Sequence, residues 1–156
     1  MTGADSDRPN VIALPPLLYG IGFTIALLLD VWGPLKILSA GIAFWLGMAF
    51  LALGGALAFW GQRTMRRAGT NVSPSLPTTA LVTDGPFRFS RNPLYVALTV
   101  LYLGLTLAVN TLWALPVLVP LVATMHYGVI KREEQYLEAK FGDSYRSYRA
   151  AVRRWL

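Results

Sequence analysis

Residues 92–130 contain no Asp, Glu, Lys or Arg, and the only side chain there that can gain a charge near neutral pH is His126. A run of that length cannot be hidden by a small soluble core. It is also too long for one bilayer crossing, which takes about 20 apolar residues. Asn110-Thr111 divides it into two pieces of near-spanning length. Two more uncharged stretches precede it, 11–29 and 37–60. The pattern predicts an all-α polytopic membrane protein with four transmembrane helices at about 12–30, 37–60, 93–109 and 112–130. A loop at 61–92 and helices in the C-terminal segment 131–156 are expected to lie outside the bilayer. Pro15-Pro16 is expected in the first turn of the first helix, where a missing N–H matters least.

Composition agrees. The chain is 54% hydrophobic, above the about 45–50% usual for soluble domains, and its mean hydropathy is +0.47. Its length suits one domain, residues 1–156. Cysteine is absent, which excludes disulfides, thiolate metal sites and a cysteine nucleophile, and a single His excludes a multi-histidine metal centre. Asp5 and Asp7 against Arg8, with no cleavage-like site after the first apolar segment, argue against a removed signal peptide.

Four crossings place both termini and the 61–92 loop on one side. Arg8, Arg63, Arg66, Arg67, Arg88, Arg91, Lys131, Arg132, Lys140, Arg146, Arg149, Arg153 and Arg154 fall there, and only Lys36 falls opposite. That asymmetry makes the rich side cytoplasmic. The net charge of +6 therefore points to anionic lipid rather than nucleic acid. The Asn71-Val72-Ser73 sequon would face the cytosol without a glycan. Ala40, Gly47, Gly54 and Gly61 recur every seven positions, as do Ala97 and Gly104. Such stripes suit close helix packing within one subunit or, less plainly, a homodimer interface.

Outside the spans, 62–77 is polar and reads as a mobile lid. Asp84-Gly85-Pro86 is a turn, and Asn92-Pro93 opens the third helix, with Asn92 as N-cap, as ligand, or as both. Residues 131–141 continue as a helix that Gly142 ends, and Asp143 or Ser144 caps the next. There Tyr145, Tyr148, Val152 and Trp155 share one face while Arg146, Arg149 and Arg153 line another. This pattern suits an interfacial helix that anchors the chain or covers a site. Glu133-Glu134 is either a functional acidic pair or a solvated helix start, with Glu134 paired to Lys131 or Lys140. His126, seven residues before Glu133, is expected on a similar face and is a functional candidate as an ionisable group in a span. Arg88 and Arg91 suit a carboxylate or phosphate.

Gly85-Pro86-Phe87-Arg88, Arg91-Asn92-Pro93-Leu94-Tyr95, Glu133-Glu134 with Leu137, and Phe141-Gly142 with Tyr145 and Tyr148 occur in that order. Together they resemble the isoprenylcysteine carboxyl methyltransferase and phospholipid methyltransferase group, over about residues 79–155. The resemblance implies a membrane enzyme that uses S-adenosylmethionine to methylate a lipophilic acceptor at the cytoplasmic face. The acceptor would be the carboxylate of a prenylated or isoprenoid-like compound, or a lipid amine. It implies a cofactor site of Arg91, Asn92, Pro93, Tyr95, Glu133, Glu134 and Tyr148. Arg132 and Glu134 are the expected catalytic residues, Arg132 as the cation an acid acceptor would need. Many members of the group have His where Asn92 stands and Gly where Ala97 stands; Asn keeps hydrogen bonding but cannot carry a proton. The competing readings are a sterol-type reductase with a nicotinamide cofactor and a non-enzymatic four-helix membrane protein.

Overall fold

The computed structural model describes residue 7 and residues 9–156; Asp5 and Arg8, which entered the charge argument, lie outside the described residues. The chain is 70% helical with no strands among these residues. Its helices are α1 (Pro15–Trp32), α2 (Ala40–Arg67), α3 (Pro93–Val109), α4 (Ala114–Met125), α5 (Lys131–Phe141) and α6 (Asp143–Ala151). A 3-10 turn covers Gly85–Arg88, and a π turn, His126–Ile130, joins α4 to α5. Three helical stretches are long and apolar enough to cross a membrane: Pro15–Trp32, Ala40–Arg67 and the merged Ala114–Phe141. The fourth apolar helix, α3, is shorter at 17 residues.

Local signals account for most boundaries. Pro15 and Pro16 occupy the first turn of α1, and Pro93 occupies that of α3. Gly142, at φ +54°, ends α5, a conformation that costs glycine nothing. Asp143 and Ser144 do not cap α6; Gly142 holds the cap position and no side chain bonds there. At 28 residues, α2 is about 42 Å long, more than the roughly 30 Å hydrocarbon layer. Its final turns therefore project beyond the apolar span, and the first part of the expected lid, 62–67, is helix.

The glycine stripe of α2 is consumed inside the subunit. A Cβ on Gly47 would lie 2.5 Å from the Ala108 backbone N, and one on Gly104 would lie 2.9 Å from the Leu51 backbone N. The α2 and α3 backbones thus touch, with Ala97 fully buried among them. Close approach of this kind supplies the van der Waals contact that holds helices together in lipid, where no hydrophobic drive separates helix from solvent. Trp45, Phe59 and Val119 project outward and exposed, as lipid-facing side chains do.

At the end of the bundle away from α5 and α6, Asn110 ends α3 in the left-handed region at φ +60°. Its Oδ1 accepts from the Ile37 and Leu38 amides at 3.0 and 3.1 Å, and its Nδ2 donates to the Leu38 carbonyl at 2.7 Å. The Trp113 indole donates to the Gly33 carbonyl at 2.7 Å, and the Leu112 amide donates to the Leu35 carbonyl at 2.9 Å. These bonds close both short connections there.

The π turn corrects one expectation. A π turn takes up one residue more than an α turn, so seven positions across it no longer return to the same face. His126 and Glu133 therefore diverge. His126 is half-buried, stacks edge-on against Tyr127 at 4.8 Å, and is absent from the lining of the polar cleft to which Glu133 belongs. The turn also receives the N-terminal segment: the Ile12 amide donates to the Gly128 carbonyl at 3.2 Å. A Cβ at 128 would collide with the Ile12 side chain, which would have to move aside.

Candidate active site

Where the apolar spans end, the 86–92 segment, the start of α5 and the face of α6 converge on a narrow cleft of about 620 Å³, part of it open to solvent. Loop residues Asn71–Pro74 and Thr78–Val82 close it from one side. The enclosed part that water could occupy is only about 60 Å³, below the about 300–1,000 Å³ of small-molecule sites, so a ligand of that size enters only when the covering loop residues shift.

The acidic pair divides its work. Glu134 is buried and forked by Arg154, which donates from Nε at 2.9 Å and from NH2 at 2.7 Å. Arg91 NH1 stands 3.3 Å from the same carboxylate. Two guanidiniums thus balance one buried acid, and the pairing with Lys131 or Lys140 does not occur: Lys140 pairs with Asp7 and Lys131 stacks over Tyr127. Glu133 makes no ion pair among the described residues. Its Oε2 accepts a 2.6 Å hydrogen bond from the Tyr95 hydroxyl. Burial pushes the Glu133 carboxyl above its ordinary value, the Tyr95 bond offsets part of that, and the neighbouring Glu134 charge adds to it. Glu133 is half-buried and lines the cleft, and loss of hydration is the main cause of its raised value.

Arg91 is the other polar group with spare capacity. Its side chain is 9% exposed, and its Nε is buried without a hydrogen-bond partner. A buried guanidinium N–H left unpaired is costly, and an anionic group in the cleft would satisfy it. Asn92 sits at the N-cap position of α3, but its side chain does not cap. Its Nδ2 instead donates to the Arg154 carbonyl at 3.0 Å. The Ser90 hydroxyl donates to the same carbonyl at 3.2 Å, and the Arg91 amide donates to the Arg153 carbonyl at 2.9 Å. The C-terminal strap thereby fixes the 90–92 segment by backbone geometry, while the Arg154 side chain fixes Glu134.

The aromatic face of α6 is turned into the protein. Tyr145 and Tyr148 are buried with Phe87, packed on by Met65, Leu81, Leu137 and Phe141. The Tyr148 hydroxyl donates to the Phe87 carbonyl at 2.7 Å, and burial pushes the Tyr145 phenol up to about 12. This helix covers the cleft with its aromatics and leaves its arginines outside, which is the site-covering role expected of it and not that of an interfacial anchor.

The expected site residues Arg91, Asn92, Glu133, Glu134 and Tyr148 all line the cleft, and Pro93 and Tyr95 line its inner extension. Arg132 does not join them. It is exposed, and its NH1 donates to the Asn10 carbonyl at 2.8 Å. Sequence reasoning missed Arg154 as the partner of Glu134 and Tyr145 as a lining residue. No local pattern marks Arg154, because its partner lies twenty positions away in the chain.

A second cavity adjoins the first. An apolar groove of about 370 Å³ runs between α1, α2 and α3, bounded by Leu14, Pro16, Leu17, Leu94 and Leu98. Tyr95 lines both this groove and the inner end of the polar cleft, and Val72 borders all three spaces. The Tyr95–Glu133 pair is thus a thin wall between an apolar approach and a polar chamber.

The family model for phospholipid methyltransferase matches residues 42–144 of the chain. An uncharacterized protein of Haemophilus influenzae is 40% identical over 63 residues, which is 40% of this chain and the whole of that protein. No solved structure matches.

Proposed function

The chain belongs to the phospholipid methyltransferase family, a family of membrane methyltransferases, and on that premise we propose that its cleft binds S-adenosylmethionine and that its groove admits a lipophilic acceptor. The observation that carries this reading is the shared wall: Tyr95 faces the groove while its hydroxyl is bonded to Glu133 in the cleft.

The donor set fits the cofactor. A zwitterionic sulfonium compound needs one site for a carboxylate and another for positive charge. Arg91 has an unpaired buried N–H for the first, and Glu133 is a carboxylate without a cationic partner for the second. Bound there, S-adenosylmethionine supplies an electrophilic methyl group. Arg91 and Asn92 hold the polar end, and the Tyr95 and Tyr148 rings offer faces for the cation. Glu134 keeps Arg91 in place. Glu133, hydrogen-bonded to Tyr95, orients the groups that meet at the wall and excludes bulk water there. Most of the rate enhancement then comes from orientation.

An amine acceptor suits this site better than a carboxylate. Glu133, an acid, stands where the groove meets the cleft, Arg91 is taken up by Glu134 and the cofactor carboxylate, and Arg132 lies outside the cleft. We place the cleft at the cytoplasmic face, with both termini on that side, from the basic asymmetry of the loops.

Titration of detergent-purified protein with radiolabelled S-adenosylmethionine tests the cofactor. Saturable binding that falls on Tyr95→Phe supports the reading, and absence of binding overturns it. Lipid extracts incubated with protein and deuterated-methyl cofactor, then analysed by mass spectrometry, identify the acceptor. Labelled amine lipids are expected, and labelled esters alone would reject the amine. Single cysteines at Ser144 and Pro34, labelled with an impermeant thiol reagent, test the orientation. Reaction of both from the same side would overturn it.

A further inference from the structure

The final turns of α2 carry a feature the methyl-transfer reading does not use. Phe59, Gln62, Arg63, Arg66 and Arg67 line an open groove of about 350 Å³. Among the described residues, none of the three arginines forms an ion pair or a side-chain hydrogen bond. Arg91, Arg146, Arg149 and Arg154, by contrast, each stand beside an acid. Asp84 is next to Gly85, which packs on Thr64, yet it forms no ion pair with them.

Arg63 stands three and four positions before Arg66 and Arg67, so like charges neighbour one another on the helix surface, an arrangement that weakens a helix unless an anion joins them. The helix dipole favours cations in the last turn, which accounts for Arg66 and Arg67. It does not account for Arg63 or for an exposed Phe59 one turn below. That vertical order, an exposed aromatic at the end of an apolar span and three guanidiniums just beyond it, matches a lipid at the bilayer boundary. Its phosphate would meet the arginines, and its glycerol and first methylenes would meet Phe59.

We propose that the end of α2 is a binding site for the phosphate of an anionic phospholipid. The site is distinct from the catalytic cleft. Gln62 lines both this groove and the apolar groove of α1–α3, so the bound lipid stands at the mouth of the acceptor's approach.

The test uses delipidated full-length protein in a neutral detergent. It is titrated with phosphatidylglycerol, with phosphatidylcholine of the same chains, and with inorganic phosphate. Bound lipid is counted by native mass spectrometry. The parent is expected to prefer phosphatidylglycerol by about tenfold or more. The Arg63→Gln/Arg66→Gln/Arg67→Gln variant is expected to bind the two lipids alike. Arg146→Gln/Arg149→Gln, which removes the same kind of charge from paired positions, is expected to keep the preference. Helical content by circular dichroism confirms that each variant is folded, and single Arg66→Gln gives a partial loss if the triple variant is not.

The preference surviving in the triple variant would overturn the site. Its loss in the Arg146/Arg149 variant would reduce it to non-specific charge. Displacement of the lipid by millimolar inorganic phosphate would make it a soluble-phosphate site instead. Cofactor binding, measured in parallel, separates this proposal from the methyl-transfer reading, since either can fail alone.

Discussion

The two ends of the helix bundle solve opposite problems. At one end, two short connections are locked by Asn110, whose amide makes three hydrogen bonds to backbone groups. Those bonds engage both its oxygen and its nitrogen within the connections, and the amide has no role left for a ligand. At the other end, charged groups gather under a long loop, and the accounting stays open. Arg91 Nε has no partner, and Glu133 has no cation among the described residues. The first end also holds buried atoms without partners, Asp30 Oδ1 and Thr111 Oγ1, so what sets the second end apart is that its spare polar groups line a cleft and can be met by something that binds there.

The largest expected effect breaks the open end. Glu134→Ala leaves two guanidiniums without their acid, and removal of one partner from a buried pair costs about 3–5 kcal/mol. Partial exposure of Arg154 places this case at the lower end, ~3 kcal/mol. Chemical denaturation should read that loss, and limited proteolysis should reveal release of the 152–156 strap. An unchanged proteolysis pattern would mean the strap is held by its backbone bonds alone. Next comes the closed end. Asn110→Ala removes three hydrogen bonds worth about 1 kcal/mol each and should lower stability by ~2–3 kcal/mol, leaving cofactor affinity intact. An affinity loss as large as that of the site variants would erase the distinction between the ends.

Tyr95→Phe should touch both stability and affinity. One charge-assisted bond of about 1.5–3 kcal/mol is lost at the wall, so stability should fall by up to that amount, and cofactor affinity should drop about tenfold or more, which Asn110→Ala leaves intact. The smallest effect is a pH slope. Burial raises the Glu133 carboxyl above its unfolded value, so the folded state holds its proton longer than the unfolded state does. Stability therefore falls as pH rises from the ordinary carboxylate range to the raised value. Glu133→Gln should flatten that slope in thermal melts and leave the protein slightly more stable at neutral pH, while weakening the cofactor. A slope unchanged in the Gln variant would assign it to another group.

The sequence made the frame legible because its signals were local. Asn-Pro at one end and Asn110 at the other fix α3 at the expected residues, Pro15-Pro16 mark the start of α1, and Gly33 and Gly142 follow the ends of α1 and α5, while the starts of α2 and α4 carry no such mark. The site was legible in part. The Arg91-to-Tyr95 segment and the glutamates do meet at one cleft, as an ordered motif on a membrane frame leads one to expect. Three things were not legible. The aromatic spacing of α6 identifies a buried face but not the medium that buries it, and here that medium is protein. The Glu134–Arg154 fork depends on how the chain returns, which spacing does not encode. The π turn has no local signature beyond a glycine among apolar residues, yet it decides where His126 points relative to Glu133.

That turn also sets the tolerance of the chain to changes in length. A π turn stores one surplus residue, so removing a residue there restores an ordinary helix and leaves α5 in its orientation, whereas removing one within α4 or α5 turns the rest by about 100°. Deletion of Tyr127, which is exposed, should therefore be absorbed, and the glutamates should still face the cleft. Deletion of Gln135 should not be absorbed, because it rotates the later part of α5 and the α6 cover away from Phe87. Family members one residue shorter within 126–130 can thus share the same site geometry, and a gap in an alignment at that place is no sign of a different fold.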